Sequence, residues 1–288
     1  MKLAPLTYVR PRSLADAIAC LAEHDGEAKL LSGGQSLMPL LALRLAAARV
    51  LVDLAGVPGL DRIEATPAHL QIGARVRWHD IETNRLLKTA HPLLVAAVAH
   101  VAHYQIRNRG TVGGSLAHAD SAAELPAVAV ACDGVVVVEG PRGERRIPAN
   151  AFFHGPLTTD LASDEVITAL HLPPWPAGRR FVFEEFARRR GDFALAGVIA
   201  HYDAVSDRFR NARVAGFGIA DKPVRLTEIE TALEGQPLAP EAVERACRAA
   251  EHTVAGFDDL QADARYRKAL FVTLLRRGLE RTLLEKSP

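Results

Sequence analysis

The sequence predicts an α+β protein in two parts, and three observations carry that prediction. The first 57 residues run helix, strand, glycine turn, strand, which is a small α/β unit. The segment Pro173-Pro174-Trp175-Pro176-Ala177-Gly178 is the clearest punctuation in the chain and marks a boundary. Beyond it, strand-like runs come first and helical ones follow, the segregated layout of an α+β domain. A chain of 288 residues suits two domains at roughly 150 residues each. The expected division is residues 1–176, split near residue 57 into subdomains 1–57 and 58–176, and then residues 177–288.

The elements follow in order. Ser13-Leu14-Ala15-Asp16 is a capped helix start, and Leu14, Ala17, Ile18 and Leu21 recur on one helical face, with Gly26 as the stop. Residues 28–31 form a short apolar strand that ends in Ser32-Gly33-Gly34, and residues 50–54 form a second buried strand. Residues 70–74 alternate as a strand. Residues 79–87 and 93–102 are expected to be helical, as are residues 122–131, whereas residues 106–115 contain too much glycine for a helix. Residues 135–139 and 145–148 flank Gly140-Pro141-Arg142-Gly143 as a hairpin, and residues 166–172 form a strand. In the second part, strands are expected at residues 181–186, 194–202 and 213–219. Three helices follow, the last from about Ala264 to Glu285 with Leu270, Leu274, Leu275, Leu279 and Leu283 along it.

Composition removes several function classes. Hydrophobic residues make up 49% and charged residues 24%, an ordinary globular balance. The 35 basic and 34 acidic residues leave a net charge of +1, which gives a nucleic acid or an anionic membrane no electrostatic footing. At 6% aromatic residues, stacking platforms for single strands are also disfavoured. Cys20, Cys132 and Cys247 are far apart and form no C-x-x-C pair, so neither an iron–sulfur cluster, a zinc site nor a disulfide framework is expected, in keeping with a reducing cytoplasm. The N-terminal residues have no apolar core of a signal peptide. Charges at Arg44, Arg49 and Asp53 break the most apolar stretches, so no membrane insertion is expected.

Two glycine-pair segments are the candidates for chemistry: Leu31-Ser32-Gly33-Gly34-Gln35-Ser36-Leu37 and Thr111-Val112-Gly113-Gly114-Ser115-Leu116. Each offers consecutive backbone N–H groups with no Cβ in the way, plus hydroxyls from Ser32, Ser36, Thr111 and Ser115, and such loops can wrap a phosphate. Two ordinary turns remain the alternative. Neither segment is G-x-G-x-x-G or a P-loop. His100 and His103, spaced i, i+3 on one apolar helix, would need further convergent ligands to hold a metal, and none is expected. The run Arg188-Arg189-Arg190 is a solvated face or a partner surface rather than a phosphate site. Arg107 and Arg109 are not read as nucleic-acid contacts. No general base or other catalytic residue is assigned, since nothing resembles a nucleophile elbow.

Taken together, Leu31 through Pro39, Gln105 through Asp120, Ser121-Ala122-Ala123-Glu124-Leu125-Pro126, Arg188 through Ala194, and Tyr266-Arg267-Lys268 resemble the FAD-binding medium subunits of the molybdenum hydroxylases. These are the flavoprotein subunits of carbon monoxide dehydrogenase and xanthine dehydrogenase-type enzymes. The resemblance covers essentially the whole chain in order. It implies an α+β fold with a two-lobed, vanillyl-alcohol-oxidase-type FAD-binding domain and a C-terminal domain of a small antiparallel sheet with helices. FAD would lie extended and noncovalently between the lobes, because no His or Cys stands where the family attaches flavin covalently. Ser32, Gly33, Gly34, Gln35, Ser36 and Leu37 would cradle its diphosphate. Ile106, Thr111, Gly114 and Ser115 would line the other side. His118 and Asp120 would lie by the ADP or ribityl portion, and Glu124 would be a cofactor-facing acid. Two positions depart from many relatives: Ser121 stands where Pro is common, and Glu185 where Lys is common.

The resemblance also implies the company this chain keeps. A large subunit would carry molybdopterin, a small subunit would carry two-iron, two-sulfur clusters, and the whole would be a cytoplasmic dimer of heterotrimers. The substrate of that assembly and its terminal acceptor are not legible here. Two alternatives belong to other classes: a standalone FAD-dependent oxidoreductase of the same superfamily, or a non-enzymatic nucleotide-binding module.

Overall fold

A computed structural model describes residues 3–284. The N-terminal unit comprises β1 (Thr7–Val9), α1 (Leu14–Glu23), β2 (Ala28–Leu31), α2 (Leu37–Ala42) and β3 (Val50–Asp53). Its sheet has the order β1-β3-β2, with both pairings parallel. Helix α1 begins where its sequence signals it: the Ser13 hydroxyl accepts the Asp16 N–H at 3.1 Å. Ala17, Ile18 and Leu21 turn inward against Val50, Val52 and Leu54.

The second unit is built on a five-stranded antiparallel sheet of order β4-β5-β10-β6-β7. Its elements are β4 (Ile63–Ala65), β5 (Leu70–Gly73), α3 (Trp78–Thr83), α4 (Leu87–Ala90), α5 (Pro92–Val98), α6 (Tyr104–Arg107), α7 (Val112–His118), α8 (Glu124–Ala131), β6 (Val135–Gly140), β7 (Gly143–Pro148), α9 (Ala149–Phe152), β8 (Phe153–Gly155), β9 (Thr158–Thr159) and β10 (Val166–Leu172). Two expectations are corrected here. The single helix expected at residues 79–87 is two, because the Asn84 side chain accepts the N–H groups of Leu86 and Leu87 and starts a new turn. The segment 106–115 is largely helical despite its glycines, in α6 and α7.

The third unit is a four-stranded antiparallel meander, β11 (Arg180–Phe186), β12 (Ala196–Val205), β13 (Arg208–Phe217) and β14 (Val224–Arg225), followed by α10 (Thr227–Leu233), α11 (Pro240–Thr253) and α12 (Ala264–Leu284). Strand β13 begins five residues earlier than expected, at Arg208, since its polar first half is an exposed ladder against β12. The expected last helical residue, Glu285, lies outside the described residues. Gly278 lets α12 lie close on β11, because a Cβ there would stand 2.1 Å from Val182 Cγ1.

The core continues across the boundary at the largely exposed Pro173–Gly178 segment, from which Trp175 packs against it. Strand β12 is buried on both faces. Ile199 packs into the core of the second unit, while Val198, Ala200 and Tyr202 pack under the C-terminal helices. Helix α8 lies between these layers and is buried on every side, which explains why its sequence is apolar all round. Trp175 packs between His91 and His201, at ring distances of 4.8 and 5.4 Å, with the Arg179 guanidinium over its face.

Candidate functional site

The chain leaves the N-terminal sheet at Ser32 and turns through Gly33 and Gly34 into α2. Gly34 has φ +73°, a backbone that a side chain strains. At Gly33, a Cβ would stand 2.3 Å from the Arg109 carbonyl oxygen, so the 32–36 turn and the 109–114 segment meet backbone to backbone. The Ser32 and Thr111 hydroxyls are hydrogen-bonded across this seam at 2.9 Å. The Gln35 amide donates to the Gly33 carbonyl at 3.0 Å and fixes the turn. Among the described residues, no protein acceptor takes the backbone N–H of Gly33, Gly34, Gln35 or Ser36. Consecutive unpaired donors on one wall of a cleft form a concavity for an anion.

The second glycine pair, which the sequence also offers as a loop able to wrap a phosphate, is built differently. Thr111 is the N-cap of α7, and its hydroxyl accepts the Gly114 N–H. The N–H of Val112 donates to Val76, that of Gly113 to Ala74, and that of Ser115 to the Thr111 carbonyl. Those donors are therefore spent within the protein. Gly113 is glycine for packing: a Cβ there would stand 2.6 Å from the Ala74 Cβ. This segment contributes a smooth wall and hydroxyl groups rather than a nest of free N–H groups.

One cavity of about 490 Å³ lies between these elements. That is within the range of small-molecule and cofactor sites, roughly 300–1,000 Å³. Its lining includes Ser32, Gly33, Gly34, Gln35, Ser36, Leu37, Ile106, Thr111, Gly114, Ser115, His118, Asp120 and Glu124, so all the positions singled out from sequence meet around one space. Sequence reasoning missed others in the same wall: Lys29, Trp78, Gly110, Asp192 and Phe193. The last two lie inside the Arg188 through Ala194 match, which hinted at them. Trp78 had no periodic cue.

Helix α7 ends at Ala119, whose φ of +52° turns the chain, and the Asp120 carboxylate then accepts the Ala122 N–H at 2.9 Å. This turn delivers Glu124 to the first position of α8 and to the cavity wall, with only 7% of its surface exposed. Burial pushes its carboxyl up to about 8, with the Glu185 and Asp120 carboxylates adding to the effect. On the far wall, Arg145 grips Glu165 through two bonds of 2.8 Å and holds that carboxyl below its usual range.

Several other candidates have structural roles. Arg107 bonds Glu82 and the carbonyls of Val101 and Ala102. His100 and His103 do not share a helix, since α5 ends at Val98 and His103 caps α6. Among the described residues no group of three or more His, Cys, Asp or Glu could hold a metal ion. No cysteine lines the cavity. Arg267, from the Tyr266-Arg267-Lys268 match, is buried and donates to the carbonyls of Leu195 and Gly218 at 2.6 and 2.8 Å. It thereby braces the end of the loop that brings Asp192 and Phe193 to the cavity. Arg188 donates to the Gln261 carbonyl.

The cavity lining suits the chemistry of a dinucleotide. Its unpaired N–H groups suit a diphosphate, and its hydroxyls and carboxyls suit ribose and ribityl hydroxyls. The comparisons agree with that chemistry. Residues 4–175 match the family described as the FAD binding domain in molybdopterin dehydrogenase, and residues 181–282 match the CO dehydrogenase flavoprotein C-terminal domain. The chain belongs to the FAD-binding medium subunits of the molybdenum hydroxylases, a family of oxidoreductases. The nicotine 6-hydroxylase medium subunit of Paenarthrobacter nicotinovorans is 40% identical over 97% of this chain and 98% of its own. Among solved structures, carbon monoxide dehydrogenase from Hydrogenophaga pseudoflava superposes with a TM-score of 0.94 at 34% identity, over 97% of this chain and 98% of that one. The reconstituted CO dehydrogenase from Oligotropha carboxidovorans gives 0.96 at 29% identity, over 99% and 100%. The expected α+β fold, with an FAD-binding part and a C-terminal sheet part, is the observed one.

Proposed function

We propose that this chain is the electron-transfer flavin subunit of a molybdenum-dependent hydroxylase or dehydrogenase. It receives electrons from iron–sulfur clusters on a partner subunit and passes them to a terminal acceptor. The observation that carries the reading is the turn at residues 33–36, whose N–H groups find no acceptor among the described residues and which lines the same cavity as Thr111, His118, Asp120 and Glu124. Bound FAD would supply the redox chemistry, since it exchanges electrons both singly and in pairs. The chain's own residues bind and orient it. The 33–36 turn holds the diphosphate by N–H donation; Ser32 and Thr111 fix the seam; His118 and Asp120 face the hydroxyl-bearing part; Glu124 sets the polarity of the inner wall.

The same reading divides the chain into residues 1–176, with lobes 1–57 and 58–176, and residues 177–288. It places molybdopterin and the two-iron, two-sulfur clusters on large and small partner subunits, in a cytoplasmic dimer of heterotrimers. Three relatives carry names consistent with such a role: the nicotine 6-hydroxylase medium subunit, and the medium chains of two carbon monoxide dehydrogenases. The described residues contain no helix long and apolar enough to cross a membrane.

The test is purification of the chain with its encoded neighbours. The expected outcome is a complex containing FAD that acid denaturation releases, together with molybdopterin and iron–sulfur chains. A complex with full metal content and no flavin absorption would reject the assignment. Turnover of a substrate by the isolated flavin-loaded chain would point instead to a standalone oxidoreductase.

A further inference from the structure

Residues 37–48 read Leu-Met-Pro-Leu-Leu-Ala-Leu-Arg-Leu-Ala-Ala-Ala, and eleven of these twelve side chains are apolar. A run of this kind ordinarily lies inside a protein. Here only Leu41 is buried, while Leu43 is 56% and Leu45 72% exposed. The exposure is built into the backbone. Helix α2 stops at Leu43, Arg44 takes the left-handed conformation at φ +62°, and the Leu45 N–H returns to the Leu40 carbonyl at 2.9 Å. That closure holds Leu43 and Leu45 as an ordered apolar ridge on the surface.

The ridge adjoins the cofactor cavity. The turn at residues 33–36 leads directly into α2, and Leu37 and Leu40 line the cavity, whereas Leu43 and Leu45 lie just beyond its wall. Whatever covers Leu43 and Leu45 therefore stands at the rim of the cavity.

The chemistry of the ridge selects among occupants. Exposed apolar patches mark interaction sites. Permanent subunit interfaces are the apolar ones, while transient electron-transfer encounters are small and polar. With Arg44 as its single charged residue, the segment suits a resident subunit better than a terminal acceptor that leaves after each turnover. A second copy fits poorly, because a two-fold sets the same face against itself and residues 37–48 hold one cation and no acid. A bilayer surface fits poorly too, since α2 is six residues long and has no basic polar face. Among resident subunits, the one that delivers electrons must stand close to the cofactor, because electron transfer between fixed centres slows steeply with distance.

We propose that the ridge formed by Leu43 and Leu45, at the end of α2, is the docking surface for the iron–sulfur subunit, which it seats at the rim of the cofactor cavity. The inference rests on the reading of this chain as an electron-transfer flavin subunit. Helix α2 then has two faces with two tasks: Leu37 and Leu40 face the cofactor's space, and the residues that follow meet the electron donor.

The experiment uses the complex purified with its encoded neighbours. Leu45→Cys, labelled with a benzophenone maleimide and irradiated in the complex, should join this chain to the iron–sulfur chain, as identified by mass spectrometry. The control is the same label on Leu260→Cys, at a fully exposed position outside the ridge. A product with a second copy or with the molybdopterin chain, or no product above the control, would overturn the proposal. In a second arm, Leu43→Asp combined with Leu45→Asp should lower the iron–sulfur chain recovered per flavin chain at least about tenfold, the scale of a lost hot spot. FAD content and circular dichroism should stay unchanged, and dithionite should still reduce the flavin at the unsubstituted rate while substrate-driven reduction falls. Undiminished recovery of the iron–sulfur chain would overturn the proposal. Should the double variant fail to fold, the crosslink on the single Leu45→Cys variant decides. An unsubstituted complex with no iron–sulfur chain would overturn the electron-transfer reading and the docking with it. An iron–sulfur chain that is present but joined elsewhere overturns the docking alone.

Discussion

Gly34 shows how much a single residue can hold at this site. Its φ of +73° lets the turn leave β2 and enter α2 within a few residues. A side chain there is strained by its backbone, and its Cβ would press on Leu31 and Met38 at 3.0 and 3.2 Å. Gly34→Val should cost more than about 1 kcal/mol locally. It should also move the N–H groups of the turn, so flavin content falls while the fold survives. The ratio of flavin to protein absorbance, with circular dichroism as the control for folding, checks this. Retention of FAD at the normal ratio would reject the diphosphate cradle. Gly113 looks identical in the sequence yet does a different job, since its constraint is the Ala74 side chain rather than a ligand. Sequence can flag a glycine pair, but only packing shows which glycine faces space and which faces protein.

At the scale of elements, α7 and the seam to Ser32 form one unit. The Thr111 hydroxyl both caps α7 through Gly114 and bonds the Ser32 hydroxyl. Thr111→Val preserves the shape and removes both bonds. The loss of a cap costs about 1 kcal/mol, and the buried seam adds to it, so stability should fall by about 1–2 kcal/mol. Thr111→Ser should recover most of that. Urea midpoints of the two variants against the unsubstituted chain measure it, and equal midpoints would remove Thr111 from the role of tie. The sequence displayed α1, β2, β3, the 140–143 hairpin and β10 because each carries its own period, cap or turn residue. It did not display α7, because two glycines in a seven-residue helix outweigh its propensity. That helix forms because Thr111 caps it and because Val112 and Gly113 bond to the segment after β5.

The whole molecule is joined at the Trp175 junction, and this joint is sensitive to acid. His91 and His201 are buried on either side of Trp175, and burial pulls them down to about 4 and about 3, respectively. In the unfolded chain each takes up a proton near 6.5, so the unfolded state binds more protons between about 4 and 6.5. Stability therefore rises with pH across that window and is lost as pH falls below about 6.5. Glu124 acts with the opposite sign: its folded value is raised, the native state binds more protons between about 4.5 and 8, and stability falls as pH rises there. Replacing His201 with Gln should flatten the acid side of the profile. Urea unfolding of both proteins at pH 7 and pH 5 tests this. An unchanged difference between the two pH values would show that His201 is not the source.

By itself the sequence determined most of the local elements, the two-part layout and a set of positions that line one cavity. Those follow from periodicity, caps, glycine turns and whole-chain resemblance, all of which are written along the chain. The tertiary structure decided which donors are free and which carboxyls are paired. Among the described residues no protein acceptor takes the N–H groups at 33–36, whereas those at 112–115 are consumed by residues 74, 76 and 111. Likewise, nothing in the chain order links His100 and Glu185, which meet at 3.1 Å because β11 packs beside α5. Burial and partnership are properties of what surrounds a residue in space, and the order of residues along a chain does not record them.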